Sequence, residues 1–188
     1  MRRRILLAAA LALLVLGTAG TAAYFSAEAR ARNFITSGAV AVALREWADE
    51  GETQPYENVS GVMPGTAVTK IAVVENTGSA PVWVRVRLEK SVTGANGAKL
   101  DASAVGFALG QSGWTDGDDG YYYYDCPLVP GEMTEPVLTG VEFSPEMGNA
   151  YQGARAQVDV RASAVQTANN GASAREAAGW PADEAKGE

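Results

Sequence analysis

Hydrophobic and polar residues alternate along several stretches of this chain. The clearest stretch covers 82–89, where valines and a leucine take every second position and a tryptophan, two arginines and a glutamate take the others. Successive side chains of a strand point to opposite faces, so this pattern predicts a strand with one buried face. The same period of two predicts strands over 39–47 and 154–164.

Three further segments have the composition of strands without a clean alternation. The segment 66–75 is rich in valine, threonine and isoleucine, and 104–109 is a short apolar run. The third segment, 133–143, contains Pro136, which predicts an edge strand or a bulge because proline cannot donate to a ladder. Four of its side chains are predicted to share one face: Met133, Val137, Val141 and Phe143.

Turn signals separate these strands. Pro64-Gly65 and Pro130-Gly131 each combine a fixed φ with a residue that accepts positive φ, which is typical of a tight turn. The sequence Asn76-Thr77-Gly78-Ser79 also predicts a turn. Because it lies between two strand-like segments, it predicts that 66–75 and 82–89 form a hairpin.

Six or seven strands separated by turns, with little helix, predict an all-β fold. The expected architecture is a two-sheet antiparallel sandwich in which the apolar faces of the sheets bury each other. We assign this domain to 39–168 and a tail to 169–188. The alanine-rich part of the tail, 169–178, has the composition for a short helix, and the small and charged residues after Pro181 predict disorder.

The first 23 residues have the layout of a secretory signal peptide: three arginines, the apolar run 5–16 and a stretch of small residues. A run of that length is shorter than the roughly 20 residues that a membrane-spanning helix needs. Thr21 and Ala23 are predicted to flank the cleavage site, before Tyr24. A cut after Ala29 and an uncleaved anchor are the alternatives. Cleavage predicts a secreted protein, extracellular or associated with the cell surface.

Composition excludes several classes of function. The chain has 15 basic and 22 acidic residues, and loss of the three leader arginines changes the net charge from −7 to 12 − 22 = −10. An acidic protein repels phosphate backbones, so we expect no nucleic-acid partner. The absence of histidine removes Ser-His-Asp triads and zinc sites of the H-E-x-x-H type. The sequence therefore predicts no catalytic residues, no cofactor and no enzyme.

Two polar features have a structural and a functional interpretation. The single cysteine, Cys126, excludes an internal disulfide, and we expect a small buried or half-buried thiol rather than an intermolecular bridge. Three acids are weak candidates for a calcium site, but their Asp-Gly pairs favour a plain turn. They are Asp116, Asp118 and Asp119.

The aromatic and charged residues of the middle region suggest packing. Residues 110–120 are predicted to be a loop that holds Trp114, and in the tyrosines 121–124 two side chains should face inward and two should be exposed. The charged face of 82–89 indicates ion pairing across strands at a solvated surface rather than a specific anion site.

Several segments together resemble TasA and camelysin-like exported proteins of Gram-positive bacteria. The likeness spans almost the whole chain and lies in the following segments: Ala23-Tyr24-Phe25-Ser26, Asn33-Phe34, Pro64-Gly65, Val74-Glu75-Asn76-Thr77-Gly78-Ser79, Val82-Trp83-Val84-Arg85-Val86, Pro130-Gly131-Glu132 and Ala164-Val165-Gln166-Thr167-Ala168-Asn169-Asn170. The resemblance implies a jelly-roll-like sandwich that is secreted as a subunit of biofilm matrix fibres. It also implies a signal peptidase of the SipW type as a partner during export, and membrane contact only through the signal segment.

The same resemblance implies how subunits associate with themselves or with other matrix proteins. The segment 24–38 would act as a donor strand that fills a groove in the next subunit, with Phe25 and Phe34 as anchors. Two alternatives come from other classes. One is a monomeric adhesin or ligand-binding module that uses Trp83, Trp114 and the tyrosines; the other, less favoured without histidine, is a camelysin-like metalloprotease.

Overall fold

The computed structural model describes residues 35–36, 39–57 and 63–182. This part of the chain is all-β, with ten strands and two single 3₁₀ turns over Ala102–Ala104 and Asn149–Tyr151. The strands are β1 (Ile35–Thr36), β2 (Val40–Trp47), β3 (Ala67–Asn76), β4 (Val82–Thr93), β5 (Lys99–Leu100), β6 (Val105–Leu109), β7 (Trp114–Asp116), β8 (Tyr122–Tyr124), β9 (Leu138–Phe143) and β10 (Arg155–Gln166).

The strands form two antiparallel sheets. Sheet I has the order β1-β2-β3-β9-β6, and sheet II has the order β10-β4-β8-β7 with the short β5 beside the far end of β4. Strand β10 pairs with β4 along all twelve residues without a break in register. The predicted two-sheet antiparallel sandwich is confirmed.

The core lies between the sheets and consists mainly of valine. Valine suits this position because its branched side chain packs well on a pleated surface, and each buried valine contributes about 1.5–3 kcal/mol. The residues that meet here come from both sheets: Val40, Val42, Ala72, Val74, Leu138, Val82, Val84, Val86, Val160, Ala162 and Ala164. The inward faces predicted for 39–47, 82–89 and 154–164 are therefore confirmed.

The hairpin predicted for 66–75 and 82–89 is wrong, because β3 belongs to sheet I and β4 to sheet II. The side chain of Asn76 stabilises the turn through which the chain passes from sheet I to sheet II. This fully buried side chain donates to the carbonyls of Ala80 at 2.9 Å and Leu128 at 2.8 Å and accepts from the amide of Gly78 at 2.9 Å. A Cβ at Gly78 would lie 2.6 Å from the carbonyl of Ala39, so only glycine fits this corner.

Three smaller predictions also need correction. The predicted loop 110–120 contains β7, which pairs with β8. Of the two alternatives predicted from Pro136, the edge strand is wrong, because β3 and β6 pair on the two sides of β9. The bulge agrees with the register shift that occurs in each of these pairings, opposite Leu138 and Gly140. Met133 does not share the buried face of Val137, since 45% of it is exposed.

The short helix predicted for 169–178 is not formed. Asn169 and Gly171 have φ of 56° and 40°, which no right-handed helix allows. The side chain of Asn170 bonds to the carbonyls of Gln166 and Ala178 and so closes a compact loop. This loop buries Ala174 and Ala177 against sheet II.

Candidate assembly edge

Strands β2 of sheet I and β10 of sheet II lie on the same flank of the sandwich. They contact each other across the core, where Val40 and Val42 of β2 share a cluster with Val160 and Ala162 of β10. Strand β10 is one edge of sheet II, and β1 covers only the first two residues of β2. This flank therefore carries the backbone edges of both sheets.

The outer edge of β2 is only partly paired. The amides of Thr77 and Gly78 donate to the carbonyl of Ala41. The backbone amides and carbonyls of odd-numbered residues in β2 are therefore directed toward β3, and those of even-numbered residues are directed away from it. On the outer side, β1 pairs at Val40 and the amide of Tyr56 donates to the carbonyl of Glu46. Between them, the amide and carbonyl of Leu44 have no partner among the residues that the structure describes.

The outer edge of β10 is longer. The amide of Thr167 donates to the carbonyl of Pro81, which continues the β4–β10 register, so odd-numbered residues of β10 bond to β4. The backbone groups of the even-numbered residues point outward: Ala156, Val158, Val160, Ala162 and Ala164. Within the described ranges, no strand pairs with this side of β10.

A strap formed by 167–182 covers the outer face of sheet II. Beneath it the guanidinium of Arg85 stacks on the ring of Tyr121 at 3.8 Å and on the ring of Trp180 at 4.7 Å, and it donates to the carbonyl of Pro181 at 3.1 Å. The indole of Trp83 donates to the carbonyl of Asn170 at 3.2 Å. These contacts fix the strap against the sheet and shield its aromatic side chains.

The tyrosines alternate between the two faces as predicted. Tyr122 and Tyr124 pack against the core between the sheets, while Tyr121 and Tyr123 join the cluster under the strap. The expectation that the outward pair is exposed is wrong, since Tyr121 and Tyr123 are only 7% and 6% exposed. Trp114 also serves packing, because it contacts Tyr124 and donates to the carbonyl of Glu135.

The acidic turn is held by its own hydrogen bonds. Asp116 accepts from the amide of Asp118 at 2.9 Å, and Asp119 accepts from the amide of Tyr121 at 3.0 Å and the hydroxyl of Tyr123 at 2.7 Å. The carboxylates thus close the turn, as its Asp-Gly pairs predicted. Within the described residues, no three acidic, cysteine or histidine side chains are grouped to hold a metal ion.

The hydrogen bond between Asp119 and Tyr123 shifts both groups. The hydroxyl of Tyr123, followed by the amide of Tyr121, lowers the pKa of Asp119 below its ordinary value of 3.8. Burial, followed by the bond to Asp119, raises the pKa of Tyr123 above its ordinary value of 10.0. Both shifts favour the ionised carboxylate with the neutral phenol, which is the arrangement that closes this turn.

The charged face of sheet II contains the predicted ion pairs. Glu89 of β4 lies 3.4 Å from Arg161 on β10 and 3.4 Å from Arg87 on its own strand. The prediction for Cys126 is wrong, because the thiol is exposed. In the segment after β8, Leu128 takes the buried position by pairing with Val82, and Cys126 stays outside.

The remaining predicted residues lie outside the described part of the chain. These are the cleavage residues Thr21, Ala23 and Tyr24 and the proposed anchors Phe25 and Phe34. Of the segment 24–38, the structure describes β1, which pairs with β2 of the same chain. The described residues contain no helix that is both long and apolar enough to cross a membrane.

Sequence reasoning missed the strap and the two open edges. The signal for the strap is the pair Trp180-Pro181, which is apolar and rigid within a polar tail. The signal for the β10 edge is the alternation over 155–164, followed by two more residues, in a strand of twelve residues without glycine or proline.

Comparison of the chain with protein-family models, with curated proteins and with solved structures returns no match.

Proposed function

We propose that this chain is an exported structural subunit that assembles into extracellular matrix fibres. The observation that supports it best is the partly paired outer edge of β2, where Leu44 lies between the short β1 and the segment around Tyr56. Among the described residues this edge is only partly paired, and an added strand would complete it, since its backbone groups would bond to the outward amide and carbonyl of Leu44. The sequence resemblance to TasA and camelysin-like proteins agrees with this proposal.

The added strand would be the segment 24–38 of a second copy. Strand β1 sets the register, because Ile35 lies opposite Ala41 in an antiparallel pair. A donor that continued this register would bring its Phe34 opposite Val42. Directly opposite residues share one face, and Val42 faces the core, so Phe34 would enter the space between the sheets. Phe25 would lie beyond the end of β2 in this register, which makes Phe34 the stronger anchor.

Donation from each subunit to the next is a head-to-tail contact. Such contacts use two different surfaces of each molecule and do not close on themselves, so they build filaments. Removal of 1–23 by a signal peptidase of the SipW type would free Tyr24 and the donor segment. Export would thus precede assembly.

The alternative of a monomeric adhesin has less support in the geometry. Its candidate contact residues Trp83, Tyr121 and Tyr123 are buried under the strap, and Trp114 packs on Tyr124. A shallow cleft does lie between β8 and the strap, with Asp125 and Arg175 in its lining. Tyr123 and Tyr124 also line it, but Tyr123 is only 6% exposed and Tyr124 packs against the core, so the cleft offers little aromatic surface to a ligand.

The test compares two forms of the purified chain, one starting at Tyr24 and one starting at Ala39. Electron microscopy and light scattering should show filaments for the first form and monomers for the second. A form that keeps Tyr24 but lacks 183–188 is the matched control at the other terminus, and it should still form filaments. N-terminal sequencing of the secreted protein should identify Tyr24 as the first residue.

A point variant refines this test. Phe34→Asp should abolish filaments because a carboxylate cannot enter an apolar core without a large desolvation cost. Phe25→Asp, beyond the end of β2, should have a much smaller effect. Filaments that form without 24–38, or a monomer in every form, would contradict the proposed assembly.

A further inference from the structure

The edge of β10 is long, and no proline, glycine or bulge interrupts it. A strand of twelve residues is about 40 Å long. Natural proteins interrupt or cover such edges, since their free backbone groups recruit other strands. Here the register with β4 has no bulge, and five alternate residues, from Ala156 to Ala164, each present an outward amide and carbonyl. The edge is therefore suited to receive a partner strand.

The charges beside this edge form two rows of opposite sign. On the outer face of sheet II, Arg161 of β10 lies directly opposite Arg87 of β4, and Asp159 lies directly opposite Glu89. Like charges in directly opposite positions destabilise a sheet. Within the chain these charges are compensated in part, because Glu89 contacts Arg161 and Arg87, and Gln157 donates to Asp159. A partner that placed the opposite charge beside each row would add to these contacts.

We propose that this partner is a second copy of the chain, whose β10 pairs antiparallel with the first β10 about a two-fold axis at Val160. In this register Val160 pairs with itself, Val158 with Ala162 and Ala156 with Ala164. All of these residues have outward-facing backbone groups, as the pairing requires. Five amides from each of two copies give 5 × 2 = 10 hydrogen bonds, and the two copies of sheet II become one continuous sheet.

The charges select this register. With the axis at Val160, Asp159 of each copy lies opposite Arg161 of the other, in a narrow pair where side chains are closest. The positive row of each copy then continues into the negative row of the other copy. An axis at Val158 would bring Arg155 opposite Arg161, and an axis at Ala162 would leave Asp159 opposite Val165. Only the register at Val160 satisfies both the backbone groups and the charges.

This contact is independent of the proposed fibre assembly. It uses β10 of sheet II, whereas donor-strand assembly uses β2 of sheet I and the segment 24–38. It is also symmetric, so it joins two copies and then closes. Changes on β10 and deletions at the N-terminus can therefore separate the two contacts.

The experiment uses complementary charge reversals in the chain from residue 24 onward and in the form that starts at Ala39, which lacks the donor segment and therefore reports the β10 contact alone. The exposed Cys126 is the single thiol, so it can carry a donor or an acceptor dye, and its modification also prevents disulfide-linked dimers. Energy transfer between differently labelled copies then measures association. Asp159→Arg alone and Arg161→Asp alone should each weaken association by about tenfold or more, because like charges would meet across the axis.

A mixture of the two variants should restore the energy transfer, since the two arginines of one copy would meet the two aspartates of the other. The double variant Asp159→Arg/Arg161→Asp should also associate with itself. Arg161→Asp alone loses the contact between Arg161 and Glu89, so it should lower the stability of the subunit. The double variant places each new charge directly opposite an unlike charge of β4, Glu89 or Arg87. Thermal unfolding of each variant sets the temperature below which all of them are folded, and energy transfer is compared there.

Three results would overturn the proposal. One is the absence of energy transfer for the wild-type chain at any concentration. Another is association of the single variants as tight as wild type. The third is hydrogen exchange in which the outward amides of Val158, Val160 and Ala162 are protected equally at every protein concentration, because a segment of the same chain would then cover the edge.

Discussion

At the scale of single residues, two polar side chains hold the parts of the chain that leave the regular sheets. Asn76 is fully buried and bonds three backbone groups at the corner between β3 and β4. Asp119 is exposed but accepts from two groups in the turn between β7 and β8. For each of the two residues we predict how its replacement changes the stability of the fold.

Replacing Asn76 with alanine should lower the free energy of unfolding by about 2–4 kcal/mol. The change removes three hydrogen bonds and leaves buried backbone groups without their partner. Urea unfolding followed by circular dichroism measures the loss. Asn96→Ala is the matched control, because Asn96 makes a similar bond to the amide of Ala98 in an exposed turn; it should cost less than about 1 kcal/mol. Equal losses for the two variants would mean that Asn76 does not hold the corner.

Asp119→Asn should make the free energy of unfolding depend less steeply on pH in the acid range. The pKa of Asp119 is lowered in the folded state, so its contribution is present above its ordinary value of 3.8 and is lost as pH falls through the lower folded value. The wild-type chain should therefore lose stability below about pH 4 more steeply than the variant. Asp118→Asn is the control, since no described residue donates to the Asp118 carboxylate. Parallel curves for wild type and Asp119→Asn would contradict this.

At the scale of elements, the strap converts the outer face of sheet II into a second, aromatic core. Arg85 lies between Tyr121 and Trp180, while Tyr123 contacts the edge of Trp180 with ring centroids 6.1 Å apart. A stacked guanidinium and buried rings contribute packing energy beyond simple burial. The strap therefore belongs to the folded domain even though it contains no strand.

Trp180→Ala should lower the free energy of unfolding by about 1–3 kcal/mol, because it removes one side of the stack on Arg85 and uncovers Tyr123. The fluorescence of Trp83 should shift to longer wavelength as water reaches it. Met133→Ala, at a side chain that is 45% exposed, is the control and should change both quantities little. A Trp180 variant as stable as that control would show that the strap contributes nothing to the fold.

The elements differ in how far sequence could predict them. Strands β2, β4 and β10 were predictable because a period of two is a local signal, and the Pro-Gly turns at Gly65 and Gly131 were predictable because both adopt positive φ. The change of sheet at Asn76 was not, since a turn looks the same whether its strands pair or stack. The bond from Arg85 to Pro181 joins residues 96 positions apart, which no local pattern contains.

At the scale of the whole molecule, the flank formed by β2 and β10 combines two strand edges that the described residues leave unpaired or only partly paired. The two proposed contacts would have different consequences: donor exchange at β2 would extend a fibre, and symmetric pairing at β10 would join two copies. A fibre built from the first contact could be bonded sideways through the second. The net charge of −7 is a source of electrostatic repulsion between copies, which either contact would have to overcome.

The pairing of β4 with β10 also sets how late in synthesis the centre of sheet II can form. Strand β4 ends at Thr93 and β10 at Gln166, so 166 − 93 = 73 residues must still be synthesised before the central pair of sheet II is complete. At about 5–20 residues per second, that delay lasts roughly 4–15 seconds. During this interval the sandwich has no closed core, because β10 supplies one side of the valine and alanine cluster between the sheets.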